Sequence, residues 1–117
     1  MREIILAVSV DGSGDGSTTT AESVLGIVYA VQLVDGDFAD GVDITLTCEQ
    51  GDLSIPVLVK ANFNSDQMVY PRVAEALNTD GSALATYAYP LANGYLKAVV
   101  AQGGVSKSGT FRVYVLE

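Results

Sequence analysis

One segment of the chain has the residue types and spacing of a calcium-binding loop. Its oxygen ligands at loop positions 1, 3, 5 and 12 would be Asp11, Ser13, Asp15 and Glu22. The flanking segments 4–10 and 24–34 alternate as strands do, whereas this kind of loop joins two helices, and Thr18 occupies a position that is usually apolar. A flexible Gly/Ser/Asp loop between strands explains the pattern better, so we predict no tight metal site here.

A second group of residues with chemical potential is a set of carboxylates in turns. Four acids fall within nine residues: Asp35, Asp37, Asp40 and Asp43. Such carboxylates could hold a hard cation or act as the acid and base of a small hydrolase. Asp-Gly pairs are also the usual residues at hairpin corners, and the chain has no tryptophan against which a sugar could stack. We therefore interpret these acids as turn residues and keep an acid-dependent hydrolase as an alternative.

Histidine is absent from all 117 residues, which removes the commonest general base and a common metal ligand. The single cysteine, Cys48, has no histidine partner to activate it. It alternates in phase with the apolar residues Val42, Ile44 and Leu46. The sequence therefore predicts a protein that is not an enzyme, that uses no cofactor and whose thiol is buried.

Composition restricts the class of partner. The chain is 49% hydrophobic with a mean hydropathy of +0.32, and its length fits a single domain over residues 1–117. Six basic against fourteen acidic residues give a net charge of −8. This charge argues against nucleic acid and anionic membrane, because both attract clustered lysine and arginine. The first residues do not have the pattern of a signal peptide, so we expect the chain to stay in the host cytoplasm or to leave it by a route other than secretion.

Alternating apolar residues predict the fold. Strands are expected at 4–10, 24–34, 42–49, 53–60, 95–102 and 110–116, with a short edge strand near 18–20. Pro56 cannot donate to a strand ladder, so its strand is expected at a sheet edge. Residues 62–93 leave two possibilities, a two-turn helix at 73–77 or a strand through 68–74. The pattern predicts an all-β fold, a single β-sandwich or jelly-roll-like domain of about seven or eight strands.

The stretch from Val24 to Val34 is apolar on both faces when it is interpreted as a strand. The larger residues share one face: Leu25, Ile27, Tyr29, Val31 and Leu33. The other face is smaller: Val24, Val28, Ala30 and Val34. Each sheet of a sandwich has only one inner face, so we expect a loop or a second subunit to cover the smaller face. We therefore assign Val24, Val28 and Ala30 to an interface.

Tyrosine is the other residue type that indicates an interface, because it offers a large area with a polar tip. Charged residues make up only 17% of the chain, against about 25% in an average soluble protein. A surface with so few charges is often partly buried against a partner. We expect the contact at segments 68–72 and 87–95, through Tyr70, Arg72, Tyr87, Tyr89 and Tyr95. Ordinary half-buried strand tyrosines are the alternative explanation.

Five segments of the chain carry a resemblance: Gly26–Val34, Val42–Thr47, Tyr70–Arg72, Pro90–Gly104 and Gly109–Val115. They resemble small accessory proteins found among the structural genes of tailed bacteriophages, in which the Gly12–Ser17 loop has no counterpart. The resemblance implies a β-sandwich virion component that decorates or cements the outer capsid lattice, as a homotrimer in contact with the major capsid protein. A neck or tail component and, in a different class, a calcium- or glycan-binding β-module remain alternatives.

Overall fold

The computed structural model describes residues 1–74, 82 and 87–117, which form ten β-strands and no helix. In chain order the strands are β1 (Arg2–Ser9), β2 (Gly16–Thr19), β3 (Val24–Val34), β4 (Val42–Gln50), β5 (Leu53–Phe63), β6 (Gln67–Val69), β7 (Val73–Ala74), β8 (Tyr87–Ala88), β9 (Leu91–Ala101) and β10 (Ser108–Leu116). β-Branched residues are frequent in the long strands, and their stiff side chains pack well on a pleated surface. The all-β class predicted from the sequence is confirmed.

The long strands form two antiparallel layers that share β9. Sheet I contains β1, β10, β3 and β6, and sheet II contains β2, β9, β4 and β5. The first residues of β9 pair with β3 and the later ones with β4, so β9 passes from one layer to the other. Gly94 lies at this crossing with a φ of 149°, and a Cβ atom there would collide with the carbonyl oxygen of Glu49. Glycine is required at this position because only a residue without a side chain permits this close approach of two backbones.

One hydrophobic core lies between the two layers. Its largest fully buried side chains come from both of them: Phe63, Phe111, Leu6, Leu33, Ile44, Leu46 and Leu96. Cys48 is 0% exposed, which confirms the buried thiol. Its Sγ atom accepts a hydrogen bond from the N–H of Asn93 at 3.3 Å. This contact ties β4 to the first part of β9, and the thiol therefore has a structural role.

A β-bulge in β3 changes which of its side chains face the core. Val28 pairs with Val115 and Ala30 pairs with Tyr114, so Tyr29 is an extra residue on β3. The alternation of inward and outward residues therefore changes phase in the middle of the strand. The prediction that one face holds every odd-numbered residue from 25 to 33 is wrong, because it assumed uninterrupted alternation.

The interface assignment of the smaller face of β3 is also wrong. Val24, Val28 and Ala30 are only 2%, 0% and 2% exposed. Val24 and Val28 belong to the core cluster between the sheets, whereas Ala30 lies beyond the bulge on the outer side of β3 and is buried there. The chain itself covers this face, so a second subunit is not needed there.

The hairpin predicted over 42–60 is confirmed by β4 and β5, and Pro56 lies on an edge strand as expected. The pairing of β5 is irregular near Pro56 and again near Asn62, whose φ is 54°. Proline and bulges hinder the addition of a further strand to a sheet edge, so β5 is a poor docking edge. Of the helix considered at 73–77, Val73 and Ala74 are strand, and the rest lies outside the described residues.

Candidate protein-binding face

The outer face of sheet I carries a row of exposed apolar side chains across three strands. Ile27 on β3 lies directly opposite Leu91 on β9 and Leu116 on β10. Residues directly opposite each other in antiparallel strands point to the same face, with Cβ atoms about 5 Å apart. Ile27, Leu91 and Leu116 are 39%, 57% and 38% exposed, and the nearby Leu25 is 68% exposed. The row is therefore a contiguous apolar surface in contact with solvent.

Three tyrosines extend this row at the bulge. The ring of Tyr29 stacks on that of Tyr89 with 5.7 Å between centroids, and it meets Tyr70 edge-on at 6.0 Å. The guanidinium carbon of Arg72 lies 3.8 Å from the centroid of the Tyr89 ring. Nη1 of Arg72 donates hydrogen bonds to the carbonyl oxygens of Pro71 at 2.7 Å and Tyr29 at 3.4 Å. These contacts orient the rings and the guanidinium before any partner arrives, which lowers the ordering cost of binding.

Two further rows of outward side chains complete the surface of sheet I: Ile5, Arg112, Gln32 and Met68 in one, and Glu3, Tyr114 and Ala30 in the other. Burial raises the pKa of Tyr114, and the hydrogen bond from its hydroxyl to Glu3 raises it further. The carboxylate of Glu3 is thus already engaged. We call the apolar row at Ile27, the tyrosine cluster with Arg72, and the outward Ile5, Met68 and Arg112 together the sheet I face.

The outer face of sheet II is polar in comparison. Its outward residues form the rows Thr19–Lys97–Thr47–Pro56 and Ser17–Val99–Thr45–Val59. At its end, Tyr95 lies opposite Glu49. Half of these eight residues carry a short hydroxyl group, and Val59 is the strongly exposed apolar one at 69%. The residues that form the hydrophobic core point away from this surface.

The structure brings together three of the five predicted contact residues in segments 68–72 and 87–95. Tyr70, Arg72 and Tyr89 belong to one cluster. Tyr95 faces outward on the other sheet, and Tyr87 lies on β8 with 72% of its surface exposed. The two tyrosines outside the cluster were grouped with it only because they are close in sequence.

Sequence reasoning missed the exposed row and the central ring of the cluster. Leu25, Ile27 and Tyr29 were assigned to the larger face of a central strand, and that face was expected to point inward. Leu91 was not recognised as a strand residue, because the predicted strand began only at residue 95. When both faces of a strand are apolar, the local sequence does not show which face is buried. These positions could be assigned only once the pairing partners of β3 were known.

The loop with calcium-like spacing is held by its own backbone. The Oδ1 atom of Asp11 accepts hydrogen bonds from the N–H groups of Ser13 at 2.8 Å and Asp15 at 3.2 Å. The bond from Asp15 and then that from Ser13 lower the pKa of Asp11. Within residues 1–74, 82 and 87–117, no three acidic or cysteine side chains come together as metal ligands. Glu22 therefore does not join Asp11 and Asp15 in a ligand set, and the Asp11 carboxylate stabilises a turn.

The acidic segment after β3 also uses carboxylates to accept backbone hydrogen bonds. Oδ1 of Asp37 accepts from the N–H of Ser108 at 2.7 Å, and Oδ1 of Asp66 accepts from the N–H of Asp35 at 2.8 Å. Burial raises the pKa of Asp35, and the charges of Asp66, Asp40 and Asp37 raise it further. Oδ1 of Asp35 is buried without a hydrogen-bond partner. We call Asp35, Asp37, Asp40 and Asp66 the acidic turn; no lysine or arginine in the described part of the chain forms an ion pair with it.

Comparison with protein-family models, with curated proteins and with solved structures finds no match to this chain. No helix in the part of the chain that the structure describes is long and apolar enough to cross a membrane. The functional argument therefore depends on the geometry of the described surfaces. The most distinctive of them is the sheet I face, a preordered apolar and aromatic surface suited to binding another protein.

Proposed function

We propose that this protein is a structural component of a tailed-phage particle and acts by binding other subunits rather than by catalysis. The form we favour is a capsid decoration or cement protein, a homotrimer on the outer lattice of the major capsid protein. It would be assembled in the host cytoplasm and reside in the virion. A neck or tail position is the alternative within the same class.

The observation that carries this proposal is the composition of the sheet I face. Protein interfaces are enriched in tyrosine, arginine and methionine and depleted in lysine and aspartate. The sheet I face has that composition, with Tyr29, Tyr70 and Tyr89 around Arg72, and Met68 near them. Residues that dominate binding energy cluster in the same way, as preordered aromatic and arginine side chains surrounded by apolar contacts. A capsid-binding protein needs such a face and needs no catalytic group.

The proposal is tested by co-sedimentation of the purified chain with capsids assembled from the major capsid protein of the phage that encodes it. We expect saturable binding with a fixed number of copies per lattice position, and capsids that resist heating better when the sites are filled. Neighbouring genes for portal, protease and major capsid proteins would support the same class. A neighbourhood of metabolic genes, or no binding to the capsids, would refute it.

A matched pair of variants tests whether the homotrimer, and through it capsid binding, depends on the sheet I face. Leu91→Asp places a charge in the apolar row, where the native side chain is 57% exposed. Val59→Asp makes the same kind of change on the outer face of sheet II, at a side chain that is 69% exposed. We expect Leu91→Asp to abolish capsid binding and Val59→Asp to preserve it, with both proteins folded by circular dichroism. Equal binding by the two variants would contradict the assignment of the face.

A further inference from the structure

We propose that copies of this chain associate head to tail, with the sheet I face of one copy docked on the acidic turn of the next. The inference deepens the proposed function and rests on it: the sheet I face binds the next copy, and the ring of copies that results is what binds the capsid. Three observations carry it: the exposed apolar row, the distribution of cations, and the uncompensated carboxylates of the acidic turn.

The cations of this acidic chain are unevenly distributed. Arg112 points outward from the centre of sheet I, and Arg72 lies over the tyrosine cluster. The three lysines lie elsewhere: Lys60 on β5, Lys97 on β9 within sheet II, and Lys107 before β10. Arginine suits an interface because its planar guanidinium binds carboxylates in a fixed geometry and is weakly hydrated. The sheet I face is therefore apolar with arginines, whereas the whole chain carries a net charge of −8.

A face-to-face arrangement of two copies does not fit this charge pattern. The carboxylates of sheet I are already engaged, Glu3 by the Tyr114 hydroxyl and Glu117 by Arg2 at 3.2 Å. A two-fold contact centred on the middle of sheet I would place Arg112 of one copy near Arg112 of the other, with the hydrogen-bonded Glu3 as the carboxylate beside them. Like charges placed together across an interface are strongly unfavourable.

The acidic turn supplies the missing complement, chiefly through Asp35 and Asp40, because Asp37 and Asp66 already accept backbone hydrogen bonds. Its carboxylates repel one another, which is part of the reason that the pKa of Asp35 is raised. Asp40 is exposed in the turn just before β4. A guanidinium group from a neighbouring copy would relieve this repulsion and gain charge-assisted hydrogen bonds, while the apolar row buries its surface.

A contact between two different surfaces of one chain is heterologous. Such contacts generate closed rings when the rotation between copies closes, and filaments when it does not. A trimeric ring is the form that the proposed function requires. A symmetric dimer held by two identical faces would not use the acidic turn at all.

The test is sedimentation velocity of the full chain and of charge-reversed variants at low and high salt. We expect a native oligomer that weakens as salt rises, because screening weakens charge pairs at the rim. Arg112→Glu and Asp40→Lys should each weaken association roughly tenfold or more. The double variant Arg112→Glu/Asp40→Lys should restore it, since the reversed charges again face each other in every head-to-tail contact. Its net charge equals that of the native chain, so a recovery cannot come from the total charge.

Lys97→Glu is the matched control, because it makes the same charge change on the outer face of sheet II. It should leave association unchanged. A chain that remains a monomer at high concentration overturns the inference, and so does an oligomer that ignores Arg112→Glu or a double variant that is weaker than both single ones. Monomers that still bind capsids would overturn the head-to-tail contact and leave the proposed function standing. Rings that bind no capsid would support the head-to-tail contact and overturn the proposed function.

Discussion

The two outer faces of this sandwich differ although the strands that build them are similar in length and pairing. Sheet II presents mainly serine, threonine and lysine around Thr45 and Lys97, with Val59 as its strongly exposed apolar residue. Sheet I presents isoleucine, leucine, tyrosine and arginine around Ile27 and Tyr29. A sandwich folds when its two inner faces are apolar, and the outer faces are ordinarily polar. Sheet II meets that requirement more closely, so the sandwich itself does not require the apolar outer surface of sheet I, and we attribute that surface to the proposed binding.

The strongest test of this difference uses two adjacent residues on β3. Val28 is fully buried between the sheets, whereas Ile27 is 39% exposed on the outer face. Val28→Asp should unfold the chain, because an unpaired buried charge costs several kcal/mol and domain stability is only about 5–15 kcal/mol. Ile27→Asp should leave the fold intact and abolish association. Thermal melting by circular dichroism measures the first effect and sedimentation the second.

The same pair can contradict the layer assignment. If Ile27→Asp removed the cooperative melting transition while Val28→Asp melted normally, the assignment of the inner and outer faces of β3 would be the wrong way round. Loss of the transition in both variants would mean that no outer face exists at this point of sheet I.

A second prediction concerns the crossing of β9 between the two sheets. Gly94→Ala should destabilise the chain by about 3 kcal/mol or more, since it combines a strained φ with a collision against the backbone of Glu49. Gly51→Ala is the control, because Gly51 also has a positive φ of 60° but nothing lies within 4 Å of its added Cβ. This second change should cost only about 1–2 kcal/mol. Urea melts of both variants measure the difference, and equal losses would mean that the strained φ alone matters.

Several of these features could not be predicted from the sequence, and the reasons are physical. Alternation is a local signal, so the all-β class and the positions of β3, β4, β5 and β10 were predictable to within a few residues. The bulge at Tyr29 is set by the register with β10, which is distant in sequence. The tyrosine cluster likewise joins Tyr29 to Tyr70 and Tyr89 through tertiary packing. Only Tyr70, Arg72 and Tyr89 could be selected beforehand, from residue type alone.

The smallest expected effect is electrostatic and belongs to the acidic turn. The pKa of Asp35 is raised in the folded state, so the folded chain holds this proton more tightly than the unfolded chain does. Its charge therefore destabilises the fold at neutral pH, and this destabilisation is lost as the pH falls through the folded pKa. Asp35→Asn should melt slightly higher than the native chain at neutral pH, and the gain should vanish in acid. A gain that is constant with pH would show that the charge of Asp35 is not its origin.

The passage of β9 through both layers also has a consequence for the speed of folding. Neither sheet can be completed until β9 has paired with β3 at one end and β4 at the other, and both partners are far from it in sequence. Strands β1 and β10, from opposite ends of the chain, must also pair. Chains dominated by such distant pairings fold in milliseconds to seconds rather than microseconds. The same strand makes the two sheets lose their structure together, so that the outer face of sheet I persists for as long as the whole domain does.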